Sequence, residues 1–564
     1  MKTRLPKNLL ALVVFAAIST AQASIYNPTT ITYEDEMQLG TKAATVGGYT
    51  IDAKDGAGEA TITESVTSGS ALYVREGKLT ISGTEESPTI VTINTSTGGQ
   101  YEKGDSPTLL NVAGKDTTVG EVKTTATLVI DNATFTTSKE AATSIGGPDG
   151  NGTLIIQNGG KYLGRAQNYF YIGYQSHRFD NAKPIEEKQI AHATTQNTDD
   201  DRISANRFDG SYTTNAAGDV QYGRGVVTVT GNSVLETGVL EVCMGEGELN
   251  ILDHSTFTTG AKPTLIGYVQ GCTSVVNVEN GSVWNVNGNF QTGSFSDNTK
   301  TEINVKNATI NLNYKKGSTL GVGKPIDEDW TAFVDNGSTT QVKLEDKAEL
   351  NVTNVLEVGW NAKAQLTIDE TSSVNASDAT ANIQIFESGV VVNAGKMDLQ
   401  VNLDGGELTM ADGAKAAGLT ASAGTLSVLG DVVFNGDIML SDTGFLFTDG
   451  ATIDLQGHDF SFDGDSITIV VNAATPVMAV FSLEEEEMLA SYGITFKNAG
   501  TVTGFEDDIE VTLAMMGEDG QITATGATYI LKASDVKVQS IPEPTTATLS
   551  LLALAGLAMR RRRK

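Results

Sequence analysis

The sequence predicts an all-β chain built as a parallel β-helix, or β-solenoid, of roughly 15 coils of about 25 residues each. Composition is the first reason: 60 glycines stand against 11 prolines, and aromatic residues make up only 6% of the chain. Thr, Asn, Ser and Val are abundant, and this mixture favours short strands joined by tight turns. A recurring unit is the second reason, because repetition at this length is typical of stacked β-coils.

The repeated unit has two apolar residues two positions apart, then Asn, Asp or Gly, then small residues and often another apolar residue. Leu128–Phe135 and Val276–Val283 show it most clearly. The alternation turns one side of each strand inward, and Asn, Asp and Gly tolerate the left-handed backbone of a corner. A string of small antiparallel sandwiches is the alternative, but each copy is too short to form one. Further copies begin at Leu154, Val227, Leu249, Ile303, Val342, Leu366, Leu408 and Leu426.

An aliphatic residue followed by glycine precedes several copies of the unit. The pairs are Ile145-Gly146, Ile266-Gly267 and Val358-Gly359. Glycine adopts positive φ without steric cost, so each pair marks a further corner of the coil.

The N-terminus has the organisation of a secretory signal peptide. Basic residues at positions 2 to 7 precede an apolar core at 9 to 18, and the small residues Ala21 and Ala23 flank Gln22. This order predicts removal of residues 1–23 by signal peptidase, with the mature chain beginning at Ser24.

The C-terminus carries three ordered features: Pro542-Glu543-Pro544, the apolar run Ala547–Met559, and five terminal cations. The order resembles the PEP-CTERM sorting signal of Gram-negative bacteria, and the resemblance covers only residues 541–564. It implies that an exosortase recognises Pro542, Glu543 and Pro544 and processes the tail. At about 1.5 Å per residue the apolar run is a short transmembrane helix, and the cations should stay cytoplasmic. Those cations are Arg560, Arg561, Arg562, Arg563 and Lys564.

Between the two signals the sequence predicts a solenoid over residues 24–475 and a small β-rich cap over 476–538. A polar segment at 175–219 predicts a long loop inserted in the solenoid. Ser482–Leu489 predicts a short helix within the cap. Residues 539–564 complete the chain as a linker and the sorting signal.

Charge excludes some partners. Acidic residues number 69 and basic residues 38, giving a net charge of -31. Such a surface repels nucleic acid and anionic lipid, so we expect no nucleic-acid partner and membrane contact only through the unprocessed C-terminal segment.

Cys243 and Cys272 are the two cysteines of the chain. Their separation is close to the repeat length, so neighbouring coils would bring them within bridging distance in an oxidising compartment. One disulfide and two buried free thiols are the alternatives, and neither cysteine is expected to be catalytic.

The sequence predicts no catalytic residues, no metal site and no cofactor. Asn197–Ile203, together with Gly457-His458-Asp459, resembles motif fragments of polygalacturonase-like glycosidases, but its acids are adjacent in a polar segment. A glycosidase needs two carboxyls held apart on a rigid surface. The four histidines lack zinc-site spacing, and phosphate-loop and nucleophile-elbow motifs are absent from the sequence. Trp284, Trp330 and Trp360 could form a sugar-binding strip, although packing in the core or at corners is the favoured interpretation.

These observations together predict an exported structural or adhesin-like protein, without evident catalytic activity, in the cell envelope, at the cell surface or outside the cell. The repeat unit also resembles those of autotransporter passenger domains. Expected partners are signal peptidase, exosortase-type machinery, and extracellular polysaccharide or host glycans. The alternatives are a polysaccharide-degrading enzyme (glycoside hydrolase or lyase) on a β-helix scaffold, and a calcium-dependent matrix protein.

Overall fold

A computed structural model describes most of the region between the two terminal signals. The described residues are 24–25, 48–51, 59–68, 71–74, 77–84, 86–93, 108–113, 124–137, 142–146, 150–164, 169–173, 223–242, 246–267, 271–293, 298–325, 333–464, 466–472, 492–517 and 521–540.

These residues form 48 strands and a single 3-10 turn, and none of them is in an α-helix. The strands up to residue 251 are β1 (Ser24–Ile25), β2 (Gly48–Ile51), β3 (Glu59–Ile62), β4 (Val66–Ser68), β5 (Ala71–Val74), β6 (Gly77–Ser82), β7 (Thr89–Ile93), β8 (Thr108–Val112), β9 (Thr124–Asp131), β10 (Ala133–Thr137), β11 (Ala142–Ile145), β12 (Gly150–Gln157), β13 (Lys161–Leu163), β14 (Tyr169–Ile172), β15 (Arg224–Val229), β16 (Val234–Thr237), β17 (Val239–Val242) and β18 (Glu246–Ile251).

The strands that follow, up to residue 393, are β19 (Thr256–Thr259), β20 (Thr264–Ile266), β21 (Thr273–Glu279), β22 (Val283–Val286), β23 (Phe290–Thr292), β24 (Lys300–Lys306), β25 (Thr309–Leu312), β26 (Ser318–Leu320), β27 (Lys324–Pro325), β28 (Phe333–Val334), β29 (Thr339–Glu345), β30 (Glu349–Val352), β31 (Val355–Val358), β32 (Lys363–Ile368), β33 (Ser373–Ala376), β34 (Asn382–Phe386) and β35 (Gly389–Asn393).

The remaining strands are β36 (Lys396–Ala411), β37 (Lys415–Leu429), β38 (Val432–Phe434), β39 (Ile438–Ser441), β40 (Thr443–Thr448), β41 (Thr452–Asp454), β42 (Phe460–Asp463), β43 (Ser466–Asn472), β44 (Ile494–Ala499), β45 (Val502–Thr503), β46 (Ile509–Met516), β47 (Ile522–Leu531) and β48 (Val536–Ser540). The 3-10 turn, Ala533–Asp535, lies between the last two strands.

The described chain divides into two compact units. The first holds residues up to Asn250 together with Ser255–Phe257, and the second holds Ile251–His254 and the residues from Thr258 onward.

Apart from β1, which pairs with β3, strands of the first unit pair in parallel with the strand three places away along the chain. β9 pairs with β6 and β12, β10 with β7 and β13, and β11 with β8 and β14. Each coil of three strands therefore lies on the coil before it. The stack of strands that contains β9 is the first face, the stack that contains β10 is the second face, and the stack that contains β11 is the third face. This is the arrangement expected for a β-solenoid.

The second unit repeats this plan. β24 joins β21 and β29 on its first face, β25 joins β22 and β30 on its second, and β26 joins β23 and β31 on its third. The long strands β36 and β37 each run across more than one face before the three-strand pattern resumes at β38. The predicted all-β fold of stacked parallel strands is thus confirmed.

The core consists of inward columns in which successive copies of the unit stand in register. Leu128 lies between Leu79 and Leu154 in the first unit, and Ile303 lies between Val276 and Val342 in the second. All six side chains are buried. Burial of successive aliphatic side chains in this way supplies the main stabilising free energy of the fold.

Left-handed residues make the corners, as the repeat predicts. Asn132, Asn280 and Asn307 have φ between 47° and 56°, and Gly146 and Gly359 have φ of 74° and 70°. A Cβ atom on Gly359 would lie 2.0 Å from the backbone nitrogen of Gly389 in the next coil. Glycine is therefore required at that corner for close stacking as well as for its backbone conformation.

The parallel stacking continues to the C-terminal end of the second unit. β44, β45 and β46 pair in parallel with β41, β42 and β43. β48 then pairs in parallel with β44, whereas β47 folds back and pairs antiparallel with β46. Because β46 continues the first face and β47 pairs with β46, β47 is the last described strand of the first-face sheet.

Candidate functional site

The sorting-signal residues lie outside the part of the chain that the structure describes. These are Ala21, Ala23, Pro542, Glu543, Pro544, Arg560, Arg561, Arg562, Arg563 and Lys564. Ser24, the predicted first residue of the mature chain, begins β1 and pairs in register with Ala60 of β3. Within the described ranges no helix is long and apolar enough to cross a membrane. The apolar run 547–559, the polar segment 175–219 and the predicted helix 482–489 also fall outside these ranges.

The possible disulfide between Cys243 and Cys272, one of the two alternatives for these cysteines, is not tested by the described residues. Cys272 is buried next to β21, with 2% of its surface exposed, and Cys243 lies outside the described residues.

Of the three tryptophans, Trp284 is in the core. It is fully buried and packs edge-on against Phe290 with ring centroids 5.6 Å apart. Trp360 is half-buried beside the Gly359 corner, and Trp330 lies outside the described residues. Trp284 therefore stabilises the coil and is not available to stack on a sugar.

The glycosidase-like fragment Gly457-His458-Asp459 is a coil corner. The Asp459 backbone N–H donates to an Asp437 carboxylate oxygen at 3.0 Å, and the Thr501 N–H donates to Asp459 Oδ1 at 2.6 Å. His458 Nδ1 lies 3.3 Å from the same Asp437 oxygen. Each carboxylate here binds a backbone donor of the next coil, so these acids hold the stack together.

The outer surface of the second face carries an asparagine ladder in the second unit. Asn375 Nδ2 donates to Asn351 Oδ1 at 3.0 Å, and Asn351 Nδ2 donates to Asn311 Oδ1 at 2.8 Å. Asn311 Nδ2 donates in turn to Asn285 Oδ1 at 2.8 Å. One N–H and one oxygen lone pair of an inner amide are used along the stack, which leaves a second N–H and a second lone pair. The ladder thus fixes the register and presents amides at the inter-strand spacing of about 4.8 Å.

The third face differs because several of its strands are buried on both sides, namely β11, β17, β20, β23 and β26. In the first unit Ser144, Tyr171 and Glu241 are successive register partners. Strand alternation points Glu241 away from its core neighbours Leu240 and Val242, yet only 3% of its surface is exposed. Burial raises the pKa of Glu241 to about 8, and no described residue gives it a hydrogen bond or a counter-charge. This carboxyl is therefore a neutral hydrogen-bond donor over much of the physiological pH range.

The corresponding column of the second unit is polar except at its first residue. Leu265, Gln291, Thr319, Glu357 and Gln384 follow one another in register. Thr319 Oγ1 donates to Glu357 Oε2 at 2.6 Å, and both residues are at most 2% exposed. Gln291 is fully buried, and no described residue hydrogen-bonds either end of its amide. A buried amide of this kind binds an ordered water or a polar group of a ligand.

Neither column places two acids side by side. The register neighbours of Glu241 within the first unit are not acidic, and Glu357 lies between Thr319 and Gln384. Glycoside hydrolysis requires a second carboxyl at roughly 5 to 9.5 Å. The described residues also contain no group of three or more His, Cys, Asp or Glu side chains able to hold a metal.

Sequence reasoning missed both buried glutamates. Each lies in the tetrapeptide Val-Leu-Glu-Val, at Val239–Val242 and Val355–Val358, where alternation alone predicts an exposed acid. The repetition of this tetrapeptide was the available signal.

No protein-family model, curated protein or solved structure matches the chain.

Proposed function

We propose that this protein is an exported structural or adhesin-like component of the cell surface or extracellular matrix, delivered through its C-terminal PEP-CTERM-like signal. The observation that carries the proposal is the order of Pro542-Glu543-Pro544, the apolar run and the terminal arginines. In this proposal signal peptidase removes residues 1–23 and exosortase-type machinery processes the tail. The exported part is then a solenoid of roughly 15 coils.

Side-chain hydrogen bonds between successive coils support a structural role for the described strands. Hydrogen-bonded columns such as Asn285–Asn311–Asn351–Asn375 and Asp437–Asp459 tie each coil to the next. The remaining amide groups of the asparagine ladder form a regular array that suits hydroxyl-rich polysaccharide. Presentation of such a surface, rather than chemistry at one point, is the proposed mode of action.

The test of sorting is the mature C-terminus. Intact mass spectrometry of the native protein, from cell-surface and medium fractions, should show loss of the tail near Pro542–Pro544. Replacement of Pro542, Glu543 and Pro544 by alanine should abolish this processing, whereas Glu407→Gln at an exposed first-face position should not. Native protein ending at Lys564 in both fractions would contradict the proposal.

A further inference from the structure

The outermost strand of the first face is β47, at the C-terminal end of the second unit. Among the described strands it pairs only with β46, whose other edge is occupied by β43. No described strand lies along the far edge of β47, and such a strand edge can act as a template for pairing with another strand.

The composition of β47 is that of a strand paired on both sides. Its ten residues, Ile-Thr-Ala-Thr-Gly-Ala-Thr-Tyr-Ile-Leu, include no charge, in a chain whose net charge is -31. β43 is also uncharged, but it has a partner at each edge. The other terminal strand, β48, is five residues long and carries Lys537. Edge strands are commonly protected by charge, by short length or by a bulge, and of these β47 has only a bulge at its centre.

One side of β47 is continuously exposed. Ile522, Ala524, Gly526, Thr528 and Ile530 alternate along it, and the two isoleucines are 37% and 47% exposed. The described chain has five exposed large apolar side chains, and three of them (Ile522, Ile530 and Val538) lie on the last two strands. A side chain added at Gly526 would meet nothing within 4 Å, so the centre of this surface is open.

We propose that the β47 edge binds a second copy of this chain by antiparallel pairing about a two-fold axis at Gly526. Ile522 and Ile530 lie symmetrically about Gly526, so pairing places Ile522 opposite the partner's Ile530. Ala524 is likewise placed opposite the partner's Thr528. Like-charged chains repel over most of their surface, whereas β47 itself brings no charge into the contact. The exposed Glu510 on β46 lies opposite Ile530, one strand away from the contact edge. A two-fold contact uses the same patch on both copies and closes after two, so it gives a dimer and not a fibre.

The strand geometry near the axis is compatible with this contact. The register against β46 shifts between Thr512 and Ala514, opposite Thr525–Ala527, which marks a bulge. A bulge bends a strand and increases its twist. Because the bulge coincides with the proposed axis, the straight segments on either side of it are the ones that pair.

The test is the mass of the full chain in mild detergent, measured by light scattering and by sedimentation. Wild-type protein at micromolar concentration should have twice the monomer mass. Thr528→Lys places an unpaired charge in the contact and should weaken dimerisation by about tenfold or more. Gln341→Lys is the matched control, because it adds the same charge at an exposed position of β29, which is paired on both sides. This control should dimerise like the wild type.

Two outcomes would overturn the inference. A monomeric wild type would mean that the β47 edge takes no second copy, whether it stays open or is covered by the chain's own residues. Undiminished dimerisation of Thr528→Lys, with a circular dichroism spectrum like that of the wild type, would place the contact elsewhere, including the apolar tail. Ile530→Ser provides a second, uncharged perturbation with the same expected loss if the lysine variant does not fold. The inference does not depend on the proposed export.

Discussion

Replacement of Glu241 by glutamine should reveal a pH-dependent loss of stability in the wild-type protein. The carboxyl is buried without a described partner, and its pKa rises from its ordinary 4.5 to about 8. Between those two values the folded chain keeps a proton that the unfolded chain has released. Stability therefore falls as the pH rises through this interval, because the native state binds more protons.

The size of the loss follows from the two pKa values. At about 1.4 kcal/mol per pKa unit, the free energy of unfolding should fall by about 3 to 4 kcal/mol between pH 5 and pH 8. Glu241→Gln keeps the shape of the neutral acid and removes the titration. The variant should match the wild type at pH 5 and exceed its stability by about that amount at pH 8.

Urea unfolding of wild type and variant at pH 5 and pH 8, followed by circular dichroism, measures this difference directly. Glu407→Gln, at an exposed position of the first face, is the control and should leave the pH dependence unchanged. A wild type and a Glu241→Gln variant that respond equally to pH would refute the reasoning. That result would mean that a counter-charge or water reaches the carboxylate.

Four further substitutions, in two matched pairs, test the corners and the ladder. Gly359→Ala places a Cβ atom against the backbone of Gly389 at a positive φ, and it should lower the free energy of unfolding by about 3 to 5 kcal/mol. Gly413 has a φ of 81° but open space around it, so Gly413→Ala should lower the free energy of unfolding by about 1 to 2 kcal/mol. Equal thermal melting of these two variants would show that close stacking at Gly359 is unimportant. Asn351→Ala removes two ladder hydrogen bonds and should cost about 1 to 3 kcal/mol in urea unfolding, and Asn375→Ala, with one ladder bond, about half as much. A larger loss for Asn375→Ala would argue against an additive ladder.

The inward half of the fold was predictable from sequence because the period-two pattern records directly which side chains face the core. Leu128, Leu154 and Val276 appear in the repeat and stand in the buried columns. The pair Val358-Gly359 predicted a corner, and its glycine has the expected positive φ. Val391 stacks in the same column as Leu366 but was not recognised, because Asn393 stands in register with Ile368, where the repeat has its second apolar residue.

The buried polar residues of the third face were not predictable in this way. Burial of an outward-facing side chain produces no periodic pattern of apolar residues in the sequence. Glu241 and Glu357 occupy outward positions of identical tetrapeptides, and alternation gives no hint that either is covered. Their environments also differ, since Glu357 accepts a hydrogen bond from Thr319 whereas Glu241 has no described partner. Such differences depend on which residues of neighbouring coils lie beside each glutamate, and the repeat pattern does not encode these contacts.

The stacking order gives the proposed export a physical advantage. Each strand pairs with a strand of the preceding coil, as β9 does with β6 and β12 with β9, so contacts form between segments close in sequence. Low sequence separation reduces the entropy lost in closing each loop before its contacts form. A chain that emerges N-terminus first could therefore add one coil at a time, with the previous coil as its template. In that order β47 is the last first-face strand to be laid down, and no described strand covers its outer edge.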